Sequence, residues 1–267
     1  PSPTPRADRS PPTPSPEATV EPEPDPEPTQ MPAPDLEPEP PAKPKPDPEP
    51  EPRASFPAAL AGQDIEVIPT DRLIVALTFD AGANAAAVPS ILDTLAREEI
   101  TATFFLTGAF VRTFPAESRS IVAAGHRLAN HSVTHSAFTT LTSAQLHAEV
   151  MDAEREISDI AGADPRPHFR FPLGDRNAQT IAAVNDLGYI AIRWTIDTLG
   201  WQGTTGGRSA AAVTRRVLDT ARPGQIVLMH VGSHPADAST LDADALPGII
   251  NGLRDRGYEF VTLDVLL

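Results

Sequence analysis

The sequence predicts an α/β fold of parallel strands covered by helices, either closed as a barrel or left as an open sheet. Apolar runs of strand length alternate with stretches of helical periodicity about seven times between residue 71 and the C-terminus. Helix caps and stop signals separate them. Residues 1 to 55 stand apart: they hold 21 of the 31 prolines and no aromatic residue.

Leu73 to Phe79 reads as a buried strand. A helix is expected over Ala85 to Glu98, where Val88, Ile91, Leu92 and Leu95 fall on one face. Thr103 to Leu106 is the next strand, and Pro115 to Ala124 the next helix, stopped by Gly125. Arg127 to Asn130 is a short strand. Thr142 to Ala161 gives the clearest helix. Thr142 and Gln145 match a capping box, Leu146, Val150, Ala153, Ile157 and Ile160 make one stripe, and Gly162 closes it. The remaining strands are expected at His168 to Phe171, Tyr189 to Ile196, Gln225 to Met229 and Glu259 to Val265. The helices between them are expected at Asn177 to Leu187, Ser209 to Ala221 and Ala245 to Arg256.

Recurrent Glu-Pro and Asp-Pro pairs make residues 1 to 55 a disordered Pro/Glu-rich linker, too poor in apolar surface to offset the entropy of ordering. Polyproline II bias and like charges extend it, on the order of 150 Å at roughly 3.1 Å per residue. A spacer is the first reading and a ligand for a proline-reading domain the second. The linker carries 12 acidic and 5 basic residues, a net −7 of the chain's −15, which leaves −8 on the folded part. An acidic domain is a poor binder of phosphate backbones, so nucleic acid is not an expected partner. The chain has no cysteine, which excludes disulfides and thiolate metal ligands. No apolar run approaches 18 residues, so no transmembrane segment is expected. The first residue is Pro1, not Met. From this and the spacer we expect an exported protein, secreted or associated with the cell wall or cell surface.

Chemistry-bearing residues gather where the strands stop. Asp80 follows the first, His131 the third, Asp197 the fifth, while Arg170 and His230 close the fourth and sixth. An Asp after a strand usually caps the next helix, but five such residues at five strand ends mark one functional face. His131 and His135, four positions apart, suit a small ion as neutral nitrogen ligands.

In these residues the chain, from about residue 71 to 267, resembles the polysaccharide deacetylases of the NodB-homology type, carbohydrate esterase family 4. Five motifs of that family appear in order. T-F-D-D-G is Thr78-Phe79-Asp80-Ala81-Gly82, and H-S/T-x-x-H is His131 to His135. R-x-P-Y-G is Arg170-Phe171-Pro172-Leu173-Gly174, D-x-x-D-W is Asp197 to Trp201, and L-x-H is Leu228-Met229-His230. The resemblance implies a distorted (β/α) barrel and a metal-dependent hydrolase that removes acetyl groups from N-acetylated glycans, cell-wall peptidoglycan or chitin-like oligomers. The implied cofactor is a divalent metal held by His131 and His135: zinc, cobalt or another divalent ion. Asp80 is implied as the base that takes a proton from water, His230 as the acid that protonates the leaving amine, and Arg170 as the group that orients Asp80. Asp197 belongs to the same catalytic set. The backbone N–H of Leu173 is implied as an oxyanion donor, with Trp201 and Leu228 walling an acetyl pocket.

Two positions depart from the family. Ala81 replaces its third metal ligand, and Gly200 replaces the carboxylate that partners the catalytic histidine. The expected consequences are weaker metal affinity and a His230 pKa that is less raised. Asp80 itself, Asn84, Asp175 or water are the candidates to replace the lost ligand. The competing reading is a catalytically weakened glycan-binding module on the same barrel. His126, His147 and His168 read as surface or packing residues, while His234 stands close enough to the sixth strand to border the cleft. The run Gly200 to Gly207 lacks the Lys-Ser/Thr ending of a P-loop. The acids in Thr240 to Asp244 read as N-caps of the following helix.

Overall fold

The computed structural model describes residues 56–267. The linker expected over residues 1 to 55 lies outside the described residues. Strands β1 Asp64–Ile65, β2 Ile74–Ala81, β3 Thr103–Leu106, β4 Arg127–Asn130, β5 His168–Phe169, β6 Ile190–Ile192, β7 Ile196–Asp197, β8 Gln225–His230 and β9 Glu259–Phe260 form one sheet. The helices are α1 Val88–Arg97, α2 Gly108–Thr113, α3 Pro115–Ala123, α4 Ser143–Ala161, α5 Ala178–Asp186, α6 Ala210–Asp219 and α7 Leu241–Arg254. The strand order is β1-β6-β5-β4-β3-β2-β8-β7, with β9 also on β2. All of these ladders are parallel. The fold is therefore the α/β arrangement of parallel strands expected, a distorted half-barrel rather than a regular closed one.

Strand β2 is buried along its whole length, as a central parallel strand must be. Its alternate side chains serve two layers. Val75, Leu77, Phe79 and Ala81 join the core between sheet and helices, with Ile91 and Leu95 of α1 and Leu246 and Ile250 of α7. Ile74 and Ala76 face the hollow of the curved sheet with Phe105, Ala129, Ile190 and Ile226. A third cluster, Phe138, Phe169, Phe171 and Tyr189, packs beneath α4 and α5. Each fully buried large apolar side chain contributes about 1.5–3 kcal/mol.

Helix α4 follows its sequence closely. Thr142 and Gln145 form both bonds of the capping box, and Gly162 ends the helix in the left-handed conformation at φ 82°. Leu146, Val150, Ala153 and Ile157 are buried, while Ile160 packs at the edge of the core.

The strand expected at Tyr189 to Ile196 is two strands. Between them the Arg193 amide donates to Ile65 O at 2.8 Å and the Thr195 amide to Ile226 O at 2.9 Å. The chain thus crosses from one end of the sheet to the other, and Trp194 is turned onto the cleft. The last strand is shorter than expected because β2 has one free edge to share. β9 pairs with Ile74 and Val75, and β3 takes Thr78 to Ala81. Residues 263–266 close as a short 3-10 turn instead. Two elements had no counterpart in the sequence reading: β1, which pairs with β6, and α2, capped by Thr107. No helix among the described residues is long and apolar enough to cross a membrane.

Candidate active site

Strand pairing brings the first two groups together. Asp80, the penultimate residue of β2, and His230, the last of β8, are direct register partners. Next to them β4 delivers His131. Asn130, the last residue of β4, anchors the turn that follows. Its side-chain amide donates to Val150 O and to the Tyr189 hydroxyl, and its oxygen accepts from the Ser132 amide. Ser132 and His135 both adopt left-handed backbone, φ 69° and 63°, which L residues with a Cβ seldom do. Glu149 of α4 clamps the turn by accepting from the amides of Val133 and Thr134 and from the Thr134 hydroxyl. The tightly wound loop sets the His131 and His135 rings 4.9 Å apart between centroids and nearly perpendicular.

His131 Nδ1 lies 2.8 Å from Arg170 O, so it carries the hydrogen and donates. Nε2 then holds a lone pair, and it stands 3.4 Å from Asp80 Oδ2. Arg170 is completely buried. Its Nη1 donates to Asp80 Oδ1 at 2.7 Å and its Nη2 to Thr78 Oγ1 and Arg193 O, while the guanidinium lies 4.0 Å above the Phe105 ring. Burial pushes the Asp80 carboxyl up, but Arg170, His131 and His230 together outweigh it and hold the group below its ordinary pKa. Burial pushes His131 down to about 4 and lowers His135 as well. At neutral pH the site therefore presents one carboxylate and two neutral imidazoles, the protonation state that cation binding requires.

These groups line a cleft of about 560 Å³. Leu173, Trp201 and Leu228 form part of its wall, as do Phe171 and Trp194. Leu173 is 70% exposed and also left-handed, φ 59°, and Trp201 is 50% exposed. Asp197 lines the cleft too, accepting from the Leu199 amide and the Trp201 indole N–H. All nine residues singled out from the sequence thus reach one cleft or, for Arg170, the layer directly beneath it.

Other expectations need correction. Asn84 is engaged with Ser233 and the Ala86 amide, and Asp175 with Thr139. Neither lines the cleft, so neither replaces a ligand lost at Ala81, which is itself buried in the core between sheet and helices. His234 is held by Asp237 and does not line the cleft either. His126 and His168 are buried in packing positions and His147 is exposed on α4. His230 is not short of a carboxylate. Burial opposes its charge, but Asp242, then Asp80 and Asp197, raise its pKa above the ordinary value. Asp242, expected only as a helix cap, accepts from the His230 amide at 2.8 Å and from the Thr198 hydroxyl at 2.6 Å. Sequence reasoning missed it because it lies 12 residues beyond His230 in no motif.

Among the described residues no three His, Cys, Asp or Glu side chains form a ready metal cage. Two neutral imidazoles beside a carboxylate are nevertheless the donor chemistry of a divalent ion, and His131 and His135 are the residues that would hold it.

Residues 68–192 match the family model described as polysaccharide deacetylase. The chain is 36% identical over 201 residues to a chitooligosaccharide deacetylase of Bradyrhizobium, covering 72% of this chain and 90% of that protein. This chain belongs to the polysaccharide deacetylase family. Its curated relatives are described as chitooligosaccharide and peptidoglycan-N-acetylglucosamine deacetylases, which are hydrolases of carbon–nitrogen bonds other than peptide bonds. A second relative of this deacetylase domain is the peptidoglycan-N-acetylglucosamine deacetylase PgdA of Listeria monocytogenes, 32% identical over 79% of this chain and 42% of its own length. A solved structure from Bacillus anthracis, described as a pseudoenzyme of carbohydrate esterase family 4, superposes with a TM-score of 0.67 at 27% identity. It covers 73% of this chain and 66% of that one. A mutant of the same protein is described as having restored enzymatic activity.

Proposed function

We propose that this polysaccharide deacetylase homologue is a metal-dependent enzyme that removes acetyl groups from N-acetylated glycans, cell-wall peptidoglycan or chitin-like oligomers. One observation carries the reading: a carboxylate held ionised, two imidazoles held neutral and a third histidine held near a carboxylate share a single cleft. Both named relatives act on such glycans by their descriptions, and the Pro/Glu-rich segment suits a secreted or wall-associated protein whose deacetylase domain spans about residues 71–267.

His131 and His135 would hold the ion, with Asp80 Oδ2 facing the same space; zinc is the first candidate, cobalt or another divalent ion the next. When bound, such an ion lowers the pKa of a water and polarises the acetyl carbonyl. Asp80, ionised and fixed by Arg170, takes the water's proton as it attacks. The Leu173 amide, on an outward-facing left-handed turn, donates to the developing oxyanion. His230 delivers a proton to the amine nitrogen as the C–N bond breaks. Leu228 and Trp201 flank the acetyl group, and Asp197 fixes the Trp201 indole.

Ala81 favours a second reading, a glycan-binding module without turnover, and a relative of the same fold is described as a pseudoenzyme. The test is acetate release from N-acetylglucosamine oligomers and from peptidoglycan, after chelation and after adding back zinc or cobalt. Metal-restored release that disappears in Asp80→Asn and His131→Ala is the expected result. Glycan binding without acetate under every metal condition would replace the enzyme with the module.

A further inference from the structure

We infer that Asp242 is the positioning residue for His230, supplying from helix α7 the carboxylate that position 200 does not. The inference rests on the deacetylase reading above. Asp242 is 4% exposed and fixed at both oxygens: Oδ2 accepts from the His230 amide at 2.8 Å, and Oδ1 accepts from Thr198 Oγ1 at 2.6 Å. The same Oδ2 stands 3.5 Å from His230 Nδ1, a charge contact rather than a hydrogen bond, and Nδ1 is a buried atom that makes no hydrogen bond among the described residues. A carboxylate fixed this firmly selects the tautomer with hydrogen on Nδ1 and leaves Nε2 to serve the cleft.

Gly200 supplies the independent observation. Its backbone is not left-handed, so its conformation does not call for glycine. The constraint is space. A Cβ there would lie 2.3 Å from Asp242 Oδ1 and 2.7 Å from its Cγ. The volume that a side chain at position 200 would enter is already filled by the carboxylate of Asp242. The two positions are alternatives for one group: an acid on the loop after β7, or an acid on the first turn of α7 with glycine opposite. In the step this serves, the amide C–N bond breaks, its electron pair stays on nitrogen, and the proton on His230 Nε2 moves to that nitrogen. The histidine is left neutral, with its remaining hydrogen on Nδ1 facing Asp242.

The test compares a substrate whose leaving group needs a proton with one whose leaving group does not. In Asp242→Asn, kcat on N-acetylglucosamine oligomers should fall by about 100-fold with KM little changed. Hydrolysis of p-nitrophenyl acetate, which expels a stable phenolate, should stay within about threefold of wild type. Asp242→Ala should be equally impaired on the glycan, and the double variant Asp242→Ala/Gly200→Asp should recover at least about tenfold as the acid returns to the same space. The ¹⁵N shifts of the His230 ring should report the Nδ1–H tautomer in wild type and a shift toward Nε2–H in Asp242→Asn, in folded protein of unchanged melting temperature. Full glycan turnover in Asp242→Asn, or equal loss on both substrates with an unaltered His230 tautomer, would overturn the assignment. If the wild-type chain releases no acetate, the deacetylase reading falls, and the tautomer measurement still decides the place of Asp242.

Discussion

Arg170 is a buried cation whose worth depends on its partners staying in place. It holds Asp80 Oδ1 at 2.7 Å, Thr78 Oγ1 and Arg193 O at 3.0 Å, and lies on the face of Phe105. Removing one member of a buried ion pair strands the other, which costs about 3–5 kcal/mol. Arg170→Met should therefore lower stability by about that amount in urea denaturation at pH 7. Arg170→Lys keeps the charge but not the fork, and is the more informative variant for activity. Burial alone would raise the Asp80 pKa, and Arg170 is the largest influence pulling it down. Weakening that pull lifts the pKa, leaves less base ionised at a given pH, and moves the acidic limb of the rate profile to higher pH. A limb unmoved in Arg170→Lys would show that Asp80 is not the group titrating there. Asp80 and Arg170 were readable in the sequence because each stands at or beside a strand's end, and parallel strands gather their ends on one face; Thr78, Phe105 and the Arg193 carbonyl were not. Asp242 was not readable, since nothing local distinguishes an acid that caps a helix from one that turns inward onto His230 and Thr198. The signal that could have found it was the glycine at 200, if taken as a vacancy to be filled rather than a loss.

At the scale of elements, α4 does two things at once. Its apolar stripe seals one side of the core, and Glu149 on another face reaches the loop that carries the two cleft imidazoles. That loop has left-handed backbone at Ser132 and His135, so its shape is imposed by these contacts and not by local preference. Glu149→Ala should loosen the approach of the two rings and weaken zinc binding by about 10-fold, with a much smaller change in melting temperature. Isothermal titration of the metal-free protein checks this, and equal affinity in the variant would show that the loop holds its shape unaided. Elements with strong periodicity and explicit caps, such as α4 and β2, could be read from sequence to within a residue or two. The break between β6 and β7 could not, because Arg193 and Trp194 leave the strand for tertiary reasons: one bridges to β1 and the other lines the cleft. α2 escaped for a different reason. Six residues are too few for periodicity, and its start depends on Thr107 accepting from the Phe110 amide.

For the whole molecule, buried histidines govern how stability responds to acid. His131 and His168 are buried, and burial lowers each to a pKa of about 4. In the unfolded chain both titrate near 6.5. Above that value they are neutral in both states and the native fold is not penalised. As pH falls from 6.5 toward 4 the unfolded chain takes up protons that the native protein refuses, so stability is lost across that window. At pH 5 the loss is about 2 kcal/mol per histidine. His230 acts in the opposite sense, because its folded pKa is raised: its contribution is present at low pH and is lost as pH rises through that value. Two strongly depressed groups outweigh one raised group, and Asp80, also depressed, adds its own loss at still lower pH. Metal-free protein should therefore melt about 10 °C lower at pH 5 than at pH 8, taking about 2–4 °C per kcal/mol for a domain of this size. His168→Leu, which removes one titrating group away from the cleft, should remove about half of that difference, because the penalty that His168 imposes at pH 5 is gone while pH 8 carries none. Scanning calorimetry on chelated protein at both pH values decides the matter. Equal melting temperatures would mean that the two imidazoles are open to protons in the native state, which would also remove the reason for treating His131 as a neutral ligand.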